Sequence, residues 1–222
     1  MVTWGIWHQR NQVQNNKACC TSDQLTLQAK EKLVEYLAVL PPTLPAPLKP
    51  KERWKPPDAS LVKINFDSAI FRDENRSSIG VVVRTHTGAI FASLTQSIPQ
   101  AHQPTEIEAI AAIQALEFGH EIGLTEAILE GDSVEPLIVN SLKTGKANMA
   151  SMEPLIQDAT IFSALYTKLL YSHCRRDGNK LAHSLARFSI HVPNYSAWME
   201  EVPLTLLSVA EQDVANLAFQ VQ

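Results

Sequence analysis

Cysteine is scarce: there are three in 222 residues, Cys19 and Cys20 adjacent and Cys174 far from both. That spacing cannot build a disulfide framework and lacks the repeated pairs of a zinc site. The three read as reduced thiols without a disulfide partner, in a protein expected inside the cell, in nucleus or cytoplasm. Long apolar runs are missing as well. No early stretch could span a bilayer, and the opening Met1-Val2-Thr3-Trp4-Gly5-Ile6-Trp7-His8-Gln9-Arg10 lacks the charged, apolar and small-residue order of a secretory leader, so no membrane partner is expected. Positive charge is not in excess. With 19 Lys and Arg against 23 Asp and Glu, the net charge of -4 means that any nucleic acid must be met by a local basic patch. Gly-x-x-x-x-Gly-Lys-Ser and Gly-x-Ser-x-Gly are both absent, which removes P-loop and nucleophile-elbow chemistry. His173-Cys174 is too small a cluster to hold a metal.

What is present is 45% apolar residues, enough for a real core in one domain of ordinary size with appendages. Residues 1–40 carry Trp4, Ile6 and Trp7, then Leu27, Leu33, Leu37 and Leu40 at roughly helical intervals, which predicts one or two helices without a core of their own. Pro41-Pro42-Thr43-Leu44-Pro45-Ala46-Pro47 lacks the backbone donors for regular structure. An extended spacer is therefore expected over 41–57, ahead of a domain over 58–191 and a tail over 192–222.

Within that domain Val62, Ile64 and Phe66 alternate with Leu61, Lys63 and Asn65, the period of a strand with one wetter face, and Asp67 falls on the wetter side. Two more strands flank the turn Thr85-His86-Thr87-Gly88. A helix over 105–120, a strand over 125–130, helices over 134–142 and 152–165, a strand over 168–176 and a helix over 181–190 complete the order βββαβααβα. That order belongs to the α/β or α+β layer architectures, a mixed sheet with helices on its faces.

Asp67, Glu108 and Asp132 each fall near the end of an element. Convergent carboxylates are what a hard Mg²⁺ ion needs, and two such ions sharing one carboxylate can activate water against a phosphodiester. Each acid also has a local explanation. Thr105-Glu106-Ile107-Glu108 fits a capping box, Asp132 a helix N-cap, and Asp67 a solvated turn. Against the cap, Glu108 lies in line with Ala112, Ala115, Leu116 and Gly119, a small and apolar stripe suited to face a sheet.

Five segments in order bear on the choice. Lys63-Ile64-Asn65-Phe66-Asp67, Gly80-Val81-Val82-Val83-Arg84 with Gly88, Glu108-Ala109-Ile110-Ala111-Ala112, Glu130-Gly131-Asp132-Ser133 and Arg176-Asp177-Gly178-Asn179-Lys180-Leu181-Ala182-His183 together resemble a type 1 ribonuclease H domain over about residues 54–191. The likeness is to the plant version at the end of non-LTR retroelement polyproteins, and the flanks Trp4-Gly5-Ile6-Trp7 and Trp198-Met199-Glu200-Glu201-Val202-Pro203 are similar to segments bordering it there. The resemblance implies a ribonuclease H-like fold, a five-stranded mixed sheet of order 3-2-1-4-5 with helices on both faces. It also implies metal-dependent hydrolysis of the RNA strand of an RNA–DNA hybrid, leaving a 3′-hydroxyl and a 5′-phosphate. Asp67 would bridge two Mg²⁺ ions, with Mn²⁺ as a substitute, and Glu108 and Asp132 would complete their shells. The first segment of such a chain would be a helical remnant of the polyprotein.

Two positions depart from the pattern. His183 stands where active members carry a fourth carboxylate, and imidazole is a poor ligand for Mg²⁺, so a second ion should bind more weakly; the histidine can instead handle a proton or sit as a satisfied polar residue. Ser68 replaces a glycine and adds a side chain where backbone should approach substrate. These departures motivate the alternative function, a nucleic-acid-binding module of weak or no turnover. For the hybrid, Ser68, Ser133, Arg176, Asn179, Lys180 and Arg187 are the candidate contacts, the last three running along or just before one helix. A monomer is expected.

Overall fold

The computed structural model describes residues 2–18, 20–39, 53–132, 137–144, 146, 150–192 and 194–218. Most of the expected spacer, and Ser133, lie outside the described residues. The chain divides into two compact units, Met1–Pro50 and Lys51–Gln222.

The first unit pairs α1 (Val2–Gln14) with α2 (Ser22–Val39). A capping box starts α2: the Thr21 amide donates to Gln24 Oε1 at 2.9 Å and the Gln24 amide donates to Thr21 Oγ1 at 3.3 Å. Trp4 and Trp7 stay more than half exposed.

The second unit is built on one sheet. β1 (Val62–Phe71), β2 (Arg76–Arg84) and β3 (Ile90–Ile98) form an antiparallel meander; α3 (Pro104–Glu121) then crosses over, so that β4 (Glu126–Gly131) pairs parallel with β1. α4 (Leu137–Thr144) and α5 (Glu153–Ser163) lead to β5 (Lys168–His173), parallel to β4. Among the described residues the order is β5-β4-β1-β2-β3-β6. The expected five-strand order is there, and β6 (Tyr195–Met199), from the stretch read as a tail, adds a sixth strand antiparallel to β3.

Each face of the sheet has its own cover. Ile64, Phe66, Ile79, Val81, Leu94 and Leu129 pack under α3, α4 and α5 and form the main core. On the opposite face Val82 meets Leu181 and Leu185 of α6 (Lys180–Phe188), with Val202 and residues of α7 (Leu207–Ala218) alongside. Lys63 and Asn65 lie on this face, and the expectation that it is wet is corrected: Lys63 is 5% and Asn65 0% exposed. Trp54, placed by the sequence in the spacer, is itself buried over them, its Nε1 donating to Asn65 Oδ1 at 2.9 Å. Lys63 Nζ donates to Glu130 Oε2 at 2.9 Å and Asn65 Nδ2 to Glu130 Oε1 at 3.0 Å, so each buried polar group has a partner.

α6 docks on bare backbone. A Cβ at Gly80 would stand 2.2 Å from Ala186 N and 2.3 Å from Ala182 O, so only glycine lets the helix lie this close to β2. Two sheet hydroxyls then satisfy carbonyls of its last turn, Ser78 Oγ donating to Ala186 O at 2.7 Å and Thr95 Oγ1 to Leu185 O at 2.8 Å. No helix among the described residues is long and apolar enough to cross a membrane.

Candidate metal centre

Parallel pairing of β1 with β4 ends at Asn65 and Glu130, yet β1 continues to Phe71 along β2 while β4 leaves the sheet after Gly131. The two strands part at their carboxyl ends, the place where open α/β sheets form a crevice. Gly131 allows the parting strand to pass close to its neighbour, since a Cβ there would stand 2.6 Å from Phe66 Cζ.

Three acids meet in that crevice. Asp67 comes from β1, Asp132 from the end of β4, and Glu108 from the first turns of α3, and one oxygen of each lies within 4.8 Å of the others. All three are buried. The capping role that the sequence allowed for Glu108 is filled two residues earlier: the Gln103 amide donates to Glu106 Oε2 at 3.2 Å, with Pro104 as the first helical residue. Glu108 is thereby left to turn toward Asp67.

The neighbours fix these carboxylates one by one. Ser68 Oγ donates to Glu108 Oε2 at 2.8 Å, and the Ser68 amide donates to Asp67 Oδ1 at 2.8 Å. His183 Nδ1 lies 2.6 Å from Asp67 Oδ2, carried there by the close docking of α6. Arg176 Nε approaches Asp132 Oδ2 at 3.5 Å. Burial first, then the charge of Asp67, pushes Glu108 up to about 8, against the pull of the Ser68 hydrogen bond. Burial and Asp67 raise Asp132 too, with Asn179 and Arg176 opposing.

Glu108 Oε1 is buried without a hydrogen-bond partner, and Asp132 Oδ2 is buried with the Arg176 guanidinium 3.5 Å away. Three clustered carboxylates, Glu108 and Asp132 with elevated pKa and Glu108 with an orphaned oxygen, fit a hard divalent cation, which would supply the charge that the protein withholds.

Of the remaining candidates, Asn179 is fully enclosed and donates through Nδ2 to Phe66 O at 2.8 Å, so it braces the crevice and offers no surface to a ligand. Arg176, Lys180 and Arg187 are exposed, and the Arg187 guanidinium lies 5.9 Å from the centroid of the Phe71 ring. The polar group of Trp54, Lys63, Asn65 and Glu130 beside the site is absent from the sequence-based candidates. Its available signal is a polar residue at every second position of β1 and again two before Asp132.

The surroundings of this fold among known proteins agree. The structure superposes on RNase H1 from Halobacterium salinarum NRC-1 with a TM-score of 0.53 at 23% identity, over 59% of this chain and 97% of the other. LC11-RNase H1, isolated from compost and solved in complex with an RNA/DNA hybrid, gives a TM-score of 0.52 at 20% identity, over 59% and 96%. An Arabidopsis thaliana protein named as a ribonuclease H protein is 27% identical over 160 residues, 72% of this chain and 25% of that protein, so the match spans a quarter of the relative's length. Both solved structures share the ribonuclease H fold. The family profile described as reverse transcriptase-like aligns with residues 65–189, a span that takes in Asp67, Glu108, Asp132 and His183 and covers more than half of the sequence, and to that family this chain belongs.

Proposed function

We propose that the chain is a type 1 ribonuclease H, a divalent-metal-dependent endoribonuclease acting on the RNA strand of RNA–DNA hybrids. The observation that carries this is the meeting of Asp67, Glu108 and Asp132 within 4.8 Å in the crevice between β1 and β4. The name of the Arabidopsis relative and the hybrid bound by LC11-RNase H1 support the choice of substrate. Asp67, Glu108 and Asp132 would hold the metal, with Asp67, which accepts from the Ser68 amide and lies against His183, as the ligand that two ions would share. The chemistry supplied by Mg²⁺ there, or by Mn²⁺ in its place, would be activation of a water and neutralisation of charge on the leaving oxygen. Ser68 fixes the Glu108 carboxylate and His183 orients that of Asp67. Arg176, Lys180 and Arg187 give the phosphate backbone a local basic edge on a chain of net negative charge.

Cleavage of an end-labelled hybrid in Mg²⁺ and in Mn²⁺ tests the reading. Asp67→Asn should lower the rate by roughly 10²–10⁴-fold, the loss of several kcal/mol of metal-borne stabilisation. Unchanged cleavage would remove the site assignment. A second reading, a hybrid-binding module without turnover, is favoured by the 2.6 Å contact of His183 with Asp67, where the family resemblance expects an acid. Full affinity with no product under either metal would select it.

A further inference from the structure

The segment ahead of β1 borders a second polar site. Arg53, Trp54 and Lys55 join Lys63 of β1, Glu130 of β4 and Ser172 of β5 around a pocket of about 190 Å³. At ~30 Å³ per water, that is room for about six waters, enough for a tetrahedral oxyanion with part of its hydration.

The pocket's walls are held in place from inside. The Trp54 ring is 1% exposed, its Nε1 donates to Asn65 Oδ1 at 2.9 Å, and the Arg84 guanidinium lies 3.9 Å from its centroid. Lys63 Nζ donates to the Lys55 carbonyl at 2.8 Å. The backbone beside Trp54 is thus anchored to the sheet, while the side chains of Arg53 and Lys55 remain exposed at the pocket. The charge balance is positive. Glu130 is the one acid among the described lining residues, and both its oxygens are engaged, by Lys63 Nζ at 2.9 Å and Asn65 Nδ2 at 3.0 Å. Its charge is matched by Lys63, which leaves Arg53 and Lys55 without a lining acid. Lys63 has used two of its three N–H donors, and Ser172 adds a hydroxyl.

We propose that this pocket takes a phosphate group of the nucleic-acid backbone, a contact additional to the metal centre and resting on the hybrid as substrate. Asn65 and Glu130 precede Asp67 and Asp132 by two residues on the same face of the sheet, and Lys63 precedes Asp67 by four. At ~3.3 Å per residue the pocket floor lies ~7–13 Å from the carboxylates, near enough for one bound strand to reach both.

Anisotropy of a labelled hybrid with the full chain in EDTA, titrated with KCl, reads the contact directly. The double variant Arg53→Ala/Lys55→Ala should reduce the slope of log K against log[KCl] by about 1–2, and the charge-keeping pair Arg53→Lys/Lys55→Arg should restore most of it. An unchanged slope in the alanine pair, with hybrid binding intact, overturns the pocket alone. If the wild-type chain binds no hybrid, the substrate reading beneath it falls as well. Inorganic phosphate provides the other arm: a phosphate-dependent rise in Tm that is lost in the alanine pair, with no change in slope, would make this a free-anion site and overturn the backbone assignment.

Discussion

Burial beside Asp67 raises Glu108 from 4.5 to about 8, so in the metal-free protein this carboxyl keeps its proton through neutral pH. The unfolded chain releases that proton near 4.5. Between those values the folded state therefore binds more protons than the unfolded one, and stability must fall as pH rises through the window, by up to ~1.4 kcal/mol per unit, and level off above about 8. This is opposite in sign to an ordinary ion-paired acid. Urea melts in EDTA at pH 6 and pH 9 should show the wild type losing stability and Glu108→Gln losing much less of it; equal losses would mean that Glu108 is ionised in the fold. His183 sets a second residue-scale expectation. Replacing it by aspartate removes the group 2.6 Å from Asp67 Oδ2 and adds a carboxylate to the crevice. Mn²⁺ affinity measured by calorimetry should then rise roughly 10-fold or more, the size of effect that orienting partners have on a metal site, and His183→Ala should not reproduce it.

At the scale of elements, α6 is placed by what β2 lacks. The Cβ of Gly80→Ala would press on backbone atoms of Ala182 and Ala186, which cannot swing aside as a flexible side chain can. Overpacking of this kind costs about 1–3 kcal/mol, a fall in Tm of roughly 2–12 °C for a domain of this size. Because α6 carries His183 and follows Asn179, the same variant should also weaken metal binding, whereas Gly123→Ala, strained by its φ of +84° but with nothing within 4 Å of its Cβ position, should lower Tm and leave metal binding unchanged. The sequence makes Gly80 visible as part of a motif but not as a docking point, since the close approach joins positions a hundred residues apart. The alternation of Val62, Ile64 and Phe66 does reveal β1, and the alanine-rich run reveals α3, because both periods are local. β6 is hidden for the converse reason: at the sheet edge Tyr195–Met199 alternates only between exposed and half-buried, so no apolar period marks it. Lys63 and Asn65 mislead in the same way. Polar side chains imply a wet face until Trp54, eleven residues upstream of Asn65, is seen to close over them. Asp67, Glu108 and Asp132 are legible as candidates, yet that Glu106 rather than Glu108 caps α3 depends on where the helix begins, a matter of two residues.

Across the whole second unit, one buried chain of polar contacts ties the C-terminal helix to the strand that bears Asp67. Asp213 of α7 accepts from Arg84 Nη1 at 2.7 Å, Arg84 Nη2 donates to Asn65 Oδ1 at 3.0 Å, and Asn65 passes the connection to Glu130 and Lys63. Arg84 is 1% exposed and Asp213 7%, so solvent does not screen the pair. Burial works to lower the pKa of the guanidinium, and Asp213 is the principal group opposing it. Removing the acid strands a buried cation, which costs ~3–5 kcal/mol, whereas exchanging both partners for apolar residues of similar volume comes out near neutral. Asp213→Ala, and equally a stop after residue 206 that deletes α7, should therefore lower Tm by roughly 6–20 °C at 2–4 °C per kcal/mol. Arg84→Met/Asp213→Leu should recover most of that loss. Thermal melts of the four proteins distinguish this from simple apolar packing: if α7 only covers apolar surface, Asp213→Ala melts within a few degrees of wild type while the truncation does not. If instead the ion pair holds the helix, the point variant and the truncation fall together and the apolar pair stands apart from both.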